Sequence, residues 1–597
     1  MPTMEKEKAR ELLGIGLDSQ PSREAFQTIW RAVGGHPLSL VLLNAAAREG
    51  ASWTELAEDL VNIPKLPVDG ARLADRILGR LRPVLEEELC LFQWAGQSHF
   101  DRAFFKHIIG SLRQRAFERH GLTAPESAAS IRIHDIVFSA LKSLNWLTHE
   151  RAREIDSQLE EFILQQMRED GYGLQLIASQ LKGKIASNVT NGDRRPAFLY
   201  ALAMIWMGSA IPVDLLPNPL VEAQRLNTLR GSDNEVAILV VLESIEAKGR
   251  WLRQASGDEA ARTWLGTVVQ AYDDLAAMDG LSARQAAEIK HHHAKTLRIL
   301  EKHAEAEDLF REVVASYPLN DAKLQLVRSL GRKPQGHEAA RRYASEIIAA
   351  KLDGCSVSPS VLMALGDALN GARQTWAGDL IEQYEELFLS EALYSAAIGI
   401  PQGYYSVASF VRALVWHSPG RVESVLARLP EPTPLMLDDD QSRGSYAEIM
   451  LLAAGANNEP VYLNRALEAY EALKAPDQYH RRKWGEVLYK LGRYAEAEAI
   501  LEMIEDRSGW IWLAHSLSQV KLELGKFQES LGLVNESLAG ATGVNEKYRS
   551  SFLLQRVKVK IALKQDPGED IAEGRRHTTS ADLLEQFSAL LRSFTPG

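Results

Sequence analysis

Leu491-Gly-Arg-Tyr-Ala-Glu-Ala-Glu-Ala-Ile-Leu501 is the stretch on which the fold turns, because the chain contains it more than once. Leu300-Glu-Lys-His-Ala-Glu-Ala-Glu-Asp-Leu-Phe310 matches it position by position, with Ala-Glu-Ala-Glu identical in both. A third copy follows 33 residues after the first: Gly525 repeats Gly492, Phe527 repeats Tyr494, and Ser530 stands where Ala497 stands. Glycine suits the reversal between two helices, an aromatic opens the second helix, and a small residue lets the two cross closely. Apolar residues at three- and four-residue spacing around Trp484, Leu488 and Leu491 predict the first helix, and residues 494–504 the second. The next pair is predicted over 510–524 and 527–538.

A helical hairpin repeating at this period, with Ala306 or Ala497 at the crossing and Tyr317-Pro318 closing one unit, resembles the tetratricopeptide repeat (TPR). The expected fold class is all-α: a winged-helix-like domain followed by a TPR-like α-solenoid, with 281–597 as superhelical repeats. Between the clear copies, 321–330, 338–350, 360–395, 404–429 and 446–473 read as helical stretches set apart by Gly, Pro or Ser, without aligning to the consensus. A stacked solenoid offers a long surface for a protein partner, and aromatics carry the largest single contributions there. Tyr404, Tyr405, Trp416, Trp510 and Trp512 are therefore the candidate contact residues, with burial in the core as the competing role of each tryptophan.

Composition agrees. The 597 residues exceed what one core supports. They are 46% apolar and 25% charged, with Ala, Leu and Glu high. A net charge of −11 repels phosphate backbones and anionic membranes, which makes nucleic acid an unlikely main partner. Cys90 and Cys355 are the only cysteines, too few for a disulfide framework or a Cys-rich zinc site, so a reducing, cytoplasmic setting is expected. No stretch reaches the length of a membrane span; the most apolar, residues 197–211, is interrupted by Gly208 and reads as a buried helix.

Residues 1–66 read as a small helical domain with helices over 25–32 and 38–47, joined by Gly34-Gly35-His36-Pro37. Gly35-His-Pro-Leu-Ser-Leu40 resembles the Gly-x-Pro-Leu motif of the STAND ATPases. Residues 67–150 then read as winged-helix-like, with its first helices over 89–109. There Ser130-Ile-Arg-Ile-His-Asp-Ile-Val-Phe138 is similar to that family's Met-His-Asp motif, with Ile133 in place of methionine. A helical connector over 151–280 follows.

The resemblance implies that Pro37 lines adenine and His134 contacts the terminal phosphate of ADP. From the residues alone, Pro37 is equally a helix-start proline and His134 a half-buried histidine on a short strand. The family's phosphate loop is absent: Gly183-Lys184 is followed by Ile185, and Gly525-Lys526 by Phe527. The chain thus resembles the C-terminal part of a STAND protein without its ATPase core. By itself it implies no cofactor; joined to such a core it would take ADP or ATP, and the activated full-length protein would oligomerise.

Other clusters carry less. Leu435-Met-Leu-Asp-Asp-Asp440 reads as a solvated loop rather than the acidic strand of an ATPase. Consecutive residues His291, His292 and His293 point about 100° apart on a helix and cannot share one ion, so a solvated or partly packed helix is expected. Arg575-Arg576-His577 reads as a solvated basic run. No catalytic motif is present, so the chain is not expected to be an enzyme. The expected function is the sensing half of a STAND-type signalling or antiviral defence protein, capturing a trigger protein on its solenoid. The alternative is a stand-alone TPR adaptor. DNA binding through the winged helix is disfavoured, because Arg113, Arg115 and Arg119 form its only basic cluster.

Overall fold

A computed structural model describes residues 4–33, 35, 37–48, 50–61, 70–124, 129–169, 173–205, 213–355, 357–432, 437, 439–457, 459–504, 510–578 and 580–593. It forms two compact units, Met1–Gly403 and Tyr404–Gly597. Both are helical and both contain TPR-like hairpins; the strands described are confined to one small sheet.

The three copies share one backbone conformation. Helices Ala283–Ile299, Gln478–Lys490 and Ile511–Glu523 end, and His303–Ser316, Tyr494–Glu502 and Phe527–Ala539 begin, across the same turn. The residue before each second helix is Lys302 (φ −82°, ψ 61°), Arg493 (−85°, 58°) or Lys526 (−83°, 57°). Its amide donates to the carbonyl five residues earlier, Leu297, Leu488 or Lys521, each at 2.9 Å. This Schellman closure needs a left-handed residue just before it. Gly492 and Gly525 supply it at φ 75°, and in the copy that opens at Leu300, Glu301 is forced to φ 64°.

A fourth turn of this kind, invisible to the sequence match, closes with Lys564 at φ 58° and Gln565 N–H on Lys560 O at 2.8 Å. The left-handed well costs an L side chain about 1–2 kcal/mol. Gly492→Ala is therefore expected to destabilise its unit by about that much. Lys564→Gly should stabilise by about 0.5–1 kcal/mol, the strain relieved less the extra entropy of glycine. Urea unfolding monitored on both variants checks the opposite signs.

Small residues meet where the helices cross. Ala306, Ala497 and Ser530 of the second helices are buried, as are Ala294, Gly485 and Ser518 at the equivalent places of the first. In the last pair the hydroxyls add hydrogen bonds, Ser530 Oγ to Ser518 O at 2.7 Å and Ser518 Oγ to Ser530 O at 3.0 Å. Of the stretches that did not align, 321–330 and 338–350 are one helix each, Asn320–Leu330 and His337–Leu352, and the other three resolve into two helices each. These are Pro359–Gly371 with Gly378–Ala397, Pro401–His417 with Val422–Leu426, and Asp440–Asn457 with Pro460–Glu471.

At the N-terminal end, Arg23–Val33 and Pro37–Arg48 occupy the predicted places. Residues predicted as the first winged helices are instead the end of a long helix, Gly70–Ala95, then strand β1 (His99–Asp101) and helix Arg102–Ile109. Helix Ser111–Arg119, β2 (Thr123–Ala124) and β3 (Ser130–Ile133) follow, and the antiparallel sheet has the order β1-β3-β2. Asp101 ends β1 and caps the next helix: its buried carboxylate accepts Phe104 N–H at 2.6 Å, and burial pushes its pKa up to about 7. Phe92, Phe100, Phe104, Phe105 and Phe117 fill the space between. One apolar cluster runs from Ala9 to Ala247, so the segments read as separate from sequence share packing. Residues 197–199 and 201–203 are buried in helix Pro196–Met204, and 206–211 lie outside the described residues.

Candidate protein-binding face

In the Tyr404–Gly597 unit the first helices of successive hairpins lie side by side: Asp440–Asn457, Gln478–Lys490, Ile511–Glu523 and Arg549–Ala562. Helix Pro401–His417 precedes them. Along it Tyr405, Arg412 and Trp416 recur at seven and four residues, which holds them within about 40° of one another on one face. Trp416 is 81% exposed and Tyr405 46%. For Trp416 this overrules the core role that the sequence favoured.

Arg412 is held rigidly. Its Nη2 donates to Glu448 Oε1 at 2.8 Å, and the Tyr479 hydroxyl donates to the same oxygen at 2.6 Å. The Glu448 carboxylate, buried in the middle helix, so ties the helices on either side. Burial opposes the charge on Arg412, but Glu448 more than compensates and raises its pKa. Arg482 lies over the Tyr479 ring at 5.6 Å and forms no ion pair among the described residues. The Gln478–Lys490 helix carries Arg481, Arg482, Lys483 and Lys490 against Glu486 alone; Lys483 pairs with Glu486 at 3.3 Å and Arg481 donates to Met503 O at 3.1 Å. Burial alone would raise the Glu486 carboxyl, yet Lys483, Arg482 and Lys490 hold it below its usual range.

Of the other candidates, Tyr404 is corrected. It is wholly buried, edge-on to Tyr446 at 5.9 Å, and its hydroxyl donates to Pro430 O at 2.9 Å, so no partner reaches it. Trp510 is half-buried at the start of Ile511–Glu523. Trp512 is half-buried and packs edge-on against Tyr548 (4.9 Å) and Phe552 (5.1 Å), which joins two first helices. Sequence reasoning missed Arg412, Glu448, Tyr479 and Arg482. The cation run after Tyr479 was a usable signal, whereas the Glu448 tie joins residues distant in sequence.

Pro37 is half-buried at the first position of its helix, where its missing N–H costs nothing. His134 is half-buried before helix Asp135–Ser143; burial lowers its pKa against the pull of Asp135. The two flank one junction. Val41, a turn beyond Pro37, faces Gly121, and Leu122 O accepts His134 N–H at 3.0 Å. Gly183-Lys184 lies inside helix Lys182–Thr190, and Gly525-Lys526 forms the interhelical turn, so neither makes a phosphate cradle. On the Ser111–Arg119 helix, Arg113 is paired with Glu88 (2.8 Å) and Glu87, whereas Arg115 and Arg119 are exposed.

His291, His292 and His293 point to three different places, and the first two are buried rather than solvated. His291 packs on Phe310 (5.6 Å), His292 Nδ1 meets Glu246 Oε1 at 2.6 Å, and His293 stacks on Tyr272 at 4.9 Å. The string 435–440 lies partly outside the described residues. Within it, Asp440 is no solvated carboxylate: it accepts Lys474 N–H at 3.0 Å and Ala475 N–H at 2.7 Å. Among the described residues no helix is long and apolar enough to cross a membrane.

No family model matches the chain, and no curated protein matches it. Solved structures do align. One is a Signal Transduction ATPase with Numerous Domains (STAND) protein with a tetratricopeptide repeat sensor from Pyrococcus horikoshii. It is 14% identical over 99% of this chain and 73% of that one, at a TM-score of 0.31. Another is the APC/C hetero-tetramer Cut9-Hcn1, 12% identical over 74% of this chain and 90% of that one, at a TM-score of 0.23.

Proposed function

We propose that this chain is a protein-binding module that captures a partner on the first-helix face of its Tyr404–Gly597 unit. The observation that carries this reading is the exposed Trp416, in helical register with a guanidinium fixed by the Glu448 carboxylate. An exposed indole beside a preorganised arginine is the composition of an interface hot spot, and the Trp416 indole, 81% exposed, contributes little to the packing of the unit. We further propose that it is the sensing arm of a STAND-type protein with a signalling or antiviral defence role, set in the cytoplasm. The Pro37 and His134 motifs in family order, one junction apart, support that assignment. In that case, nucleotide contacts at Pro37 and His134 would depend on an ATPase core, and activation would bring oligomerisation. The placing of Gly183-Lys184 inside a helix and of Gly525-Lys526 in an interhelical turn favours a second reading, a stand-alone TPR adaptor or scaffold without nucleotide binding.

Removal of residues 404–597 is expected to abolish capture of the partner protein, measured by co-purification with the full chain as reference. Undiminished capture by residues 1–403 would sink the reading.

A further inference from the structure

We infer that the face formed by Tyr405, Arg412, Trp416, Tyr479 and Arg482 docks a short acidic segment of the partner, five to six residues long with one aromatic or branched apolar side chain. This rests on the protein-binding reading above and names the chemistry recognised. Tyr405 and Trp416 stand eleven residues apart on one helix face, about 16 Å, which an extended segment of about five residues spans. Three aromatics are exposed along that path, Trp416 at 81%, Tyr405 at 46% and Tyr479 at 38%, enough to seat an apolar side chain.

Charge selects the rest. Arg482 lacks an ion pair among the described residues, and Arg412 is aimed by a buried carboxylate that uses one of its nitrogens. A guanidinium offers a fork of donors matched to carboxylates. Arg482 follows Tyr479 by three positions and so shares its face, whereas Arg481 donates to Met503 O and Lys483 pairs with Glu486; Arg412 and Arg482 are thus the guanidiniums of this face on a chain that carries −11, and the attraction for an acidic segment is local to them. Single-stranded nucleic acid also stacks on aromatics beside arginines, but it needs a basic groove several nucleotides long. Here Glu448 and Glu486 sit among the cations, which favours a few carboxylates at fixed places over a continuous phosphate backbone.

The test uses the full chain and a phage-displayed library of random 12-residue peptides, with the selected peptides synthesised and titrated by fluorescence anisotropy. The expected result is enrichment of Asp and Glu around an aromatic or branched residue, with affinity falling at least tenfold in both Trp416→Ala and Arg482→Glu. Both side chains lie outside the packed interior, and unchanged circular dichroism and thermal unfolding confirm the fold; Arg412 is avoided because its loss would strand Glu448. Neutral or basic selected peptides, or acidic ones whose binding survives both substitutions, overturn the inference but leave the protein-binding reading standing. Failure to select any peptide overturns it, with partner co-purification deciding the broader reading separately. Equal affinity for a 20-nucleotide oligothymidylate, lost in the same variants, overturns it in favour of nucleic acid.

Discussion

Glu246→Gln is expected to destabilise the Met1–Gly403 unit by about 3–5 kcal/mol, the usual consequence of stranding buried charges. Glu246, on helix Glu235–Ser256, meets His292 Nδ1 at 2.6 Å and Lys295 Nζ at 2.5 Å from the helix Ala283–Ile299, with Arg250 at 3.4 Å. Glu243, 3.9 Å from His292 Nε2, is too far to replace it. Burial alone would raise the Glu246 carboxyl, but Lys295, then His292 and Arg250, hold it well below its ordinary 4.5. Burial alone would likewise lower His292, yet Glu246 raises it above 6.5.

The signs give a pH signature. The depressed carboxylate contributes stability above pH 4.5 that is lost as pH falls through its folded value; the raised imidazole contributes below pH 6.5 and loses it as pH rises through its own. The gap between wild type and variant should be widest between pH 4.5 and 6.5, close on further acidification and narrow on the alkaline side, where Lys295 still keeps it open. His291 is buried and held neutral, well below 6.5, and titrates against folding in both proteins alike. Amide hydrogen exchange of 235–256 and 283–299 reads the local free energy without assuming one cooperative transition. A loss under 1 kcal/mol would refute the account. The combination Glu246→Leu, His292→Leu and Lys295→Met should recover most of the stability, since an apolar cluster needs no charge balance.

Gly485→Leu is the second large effect. A Cβ built at Gly485 would stand 2.6 Å from both Cγ and Cδ2 of Leu501, at the crossing of Gln478–Lys490 with Tyr494–Glu502. A leucine must spread the helices, an overpacking cost of about 1–3 kcal/mol. It would also displace Tyr479 and Arg482 one to two turns away, so partner capture should fall with stability. Gly532, inside helix Phe527–Ala539, has nothing within 4 Å of the same added atom. Gly532→Ala should therefore stabilise by about 0.5–1 kcal/mol through helix propensity alone. Urea midpoints of the two variants should move in opposite directions; movement in the same direction would show that glycine content, not crossing geometry, sets the effect.

Much of this was legible because TPR-like hairpins are built from local signals. The turn glycines, Ala306 and Ala497, and the three- to four-residue apolar spacing act within about thirty residues, so their consequences could be read without knowing what packs against what. The degenerate helices between the copies were recognised as helical but not as pairs, because their crossings use residues outside the consensus. Of the small sheet only a short strand at His134 was read from sequence: β1 and β2 are three and two residues long, too short to show alternation, and β1 pairs with β3 across some thirty positions, β2 across about ten.

The candidate face divides the same way. Tyr405 and Trp416 were nominated from composition, and Tyr404 with them, although neighbouring positions on a helix point about 100° apart. Only packing decided that Tyr404 turns inward to Pro430 while Tyr405 turns out. By itself, then, the sequence determined the hairpins, their turns and their small crossing residues, since backbone conformation and helix periodicity are local properties of the chain. Tertiary structure alone decided which aromatics are free, which arginine Glu448 fixes, and why three adjacent histidines go to three separate environments. Burial and ion pairing belong to neighbours in space, and those neighbours are tens of residues away in sequence.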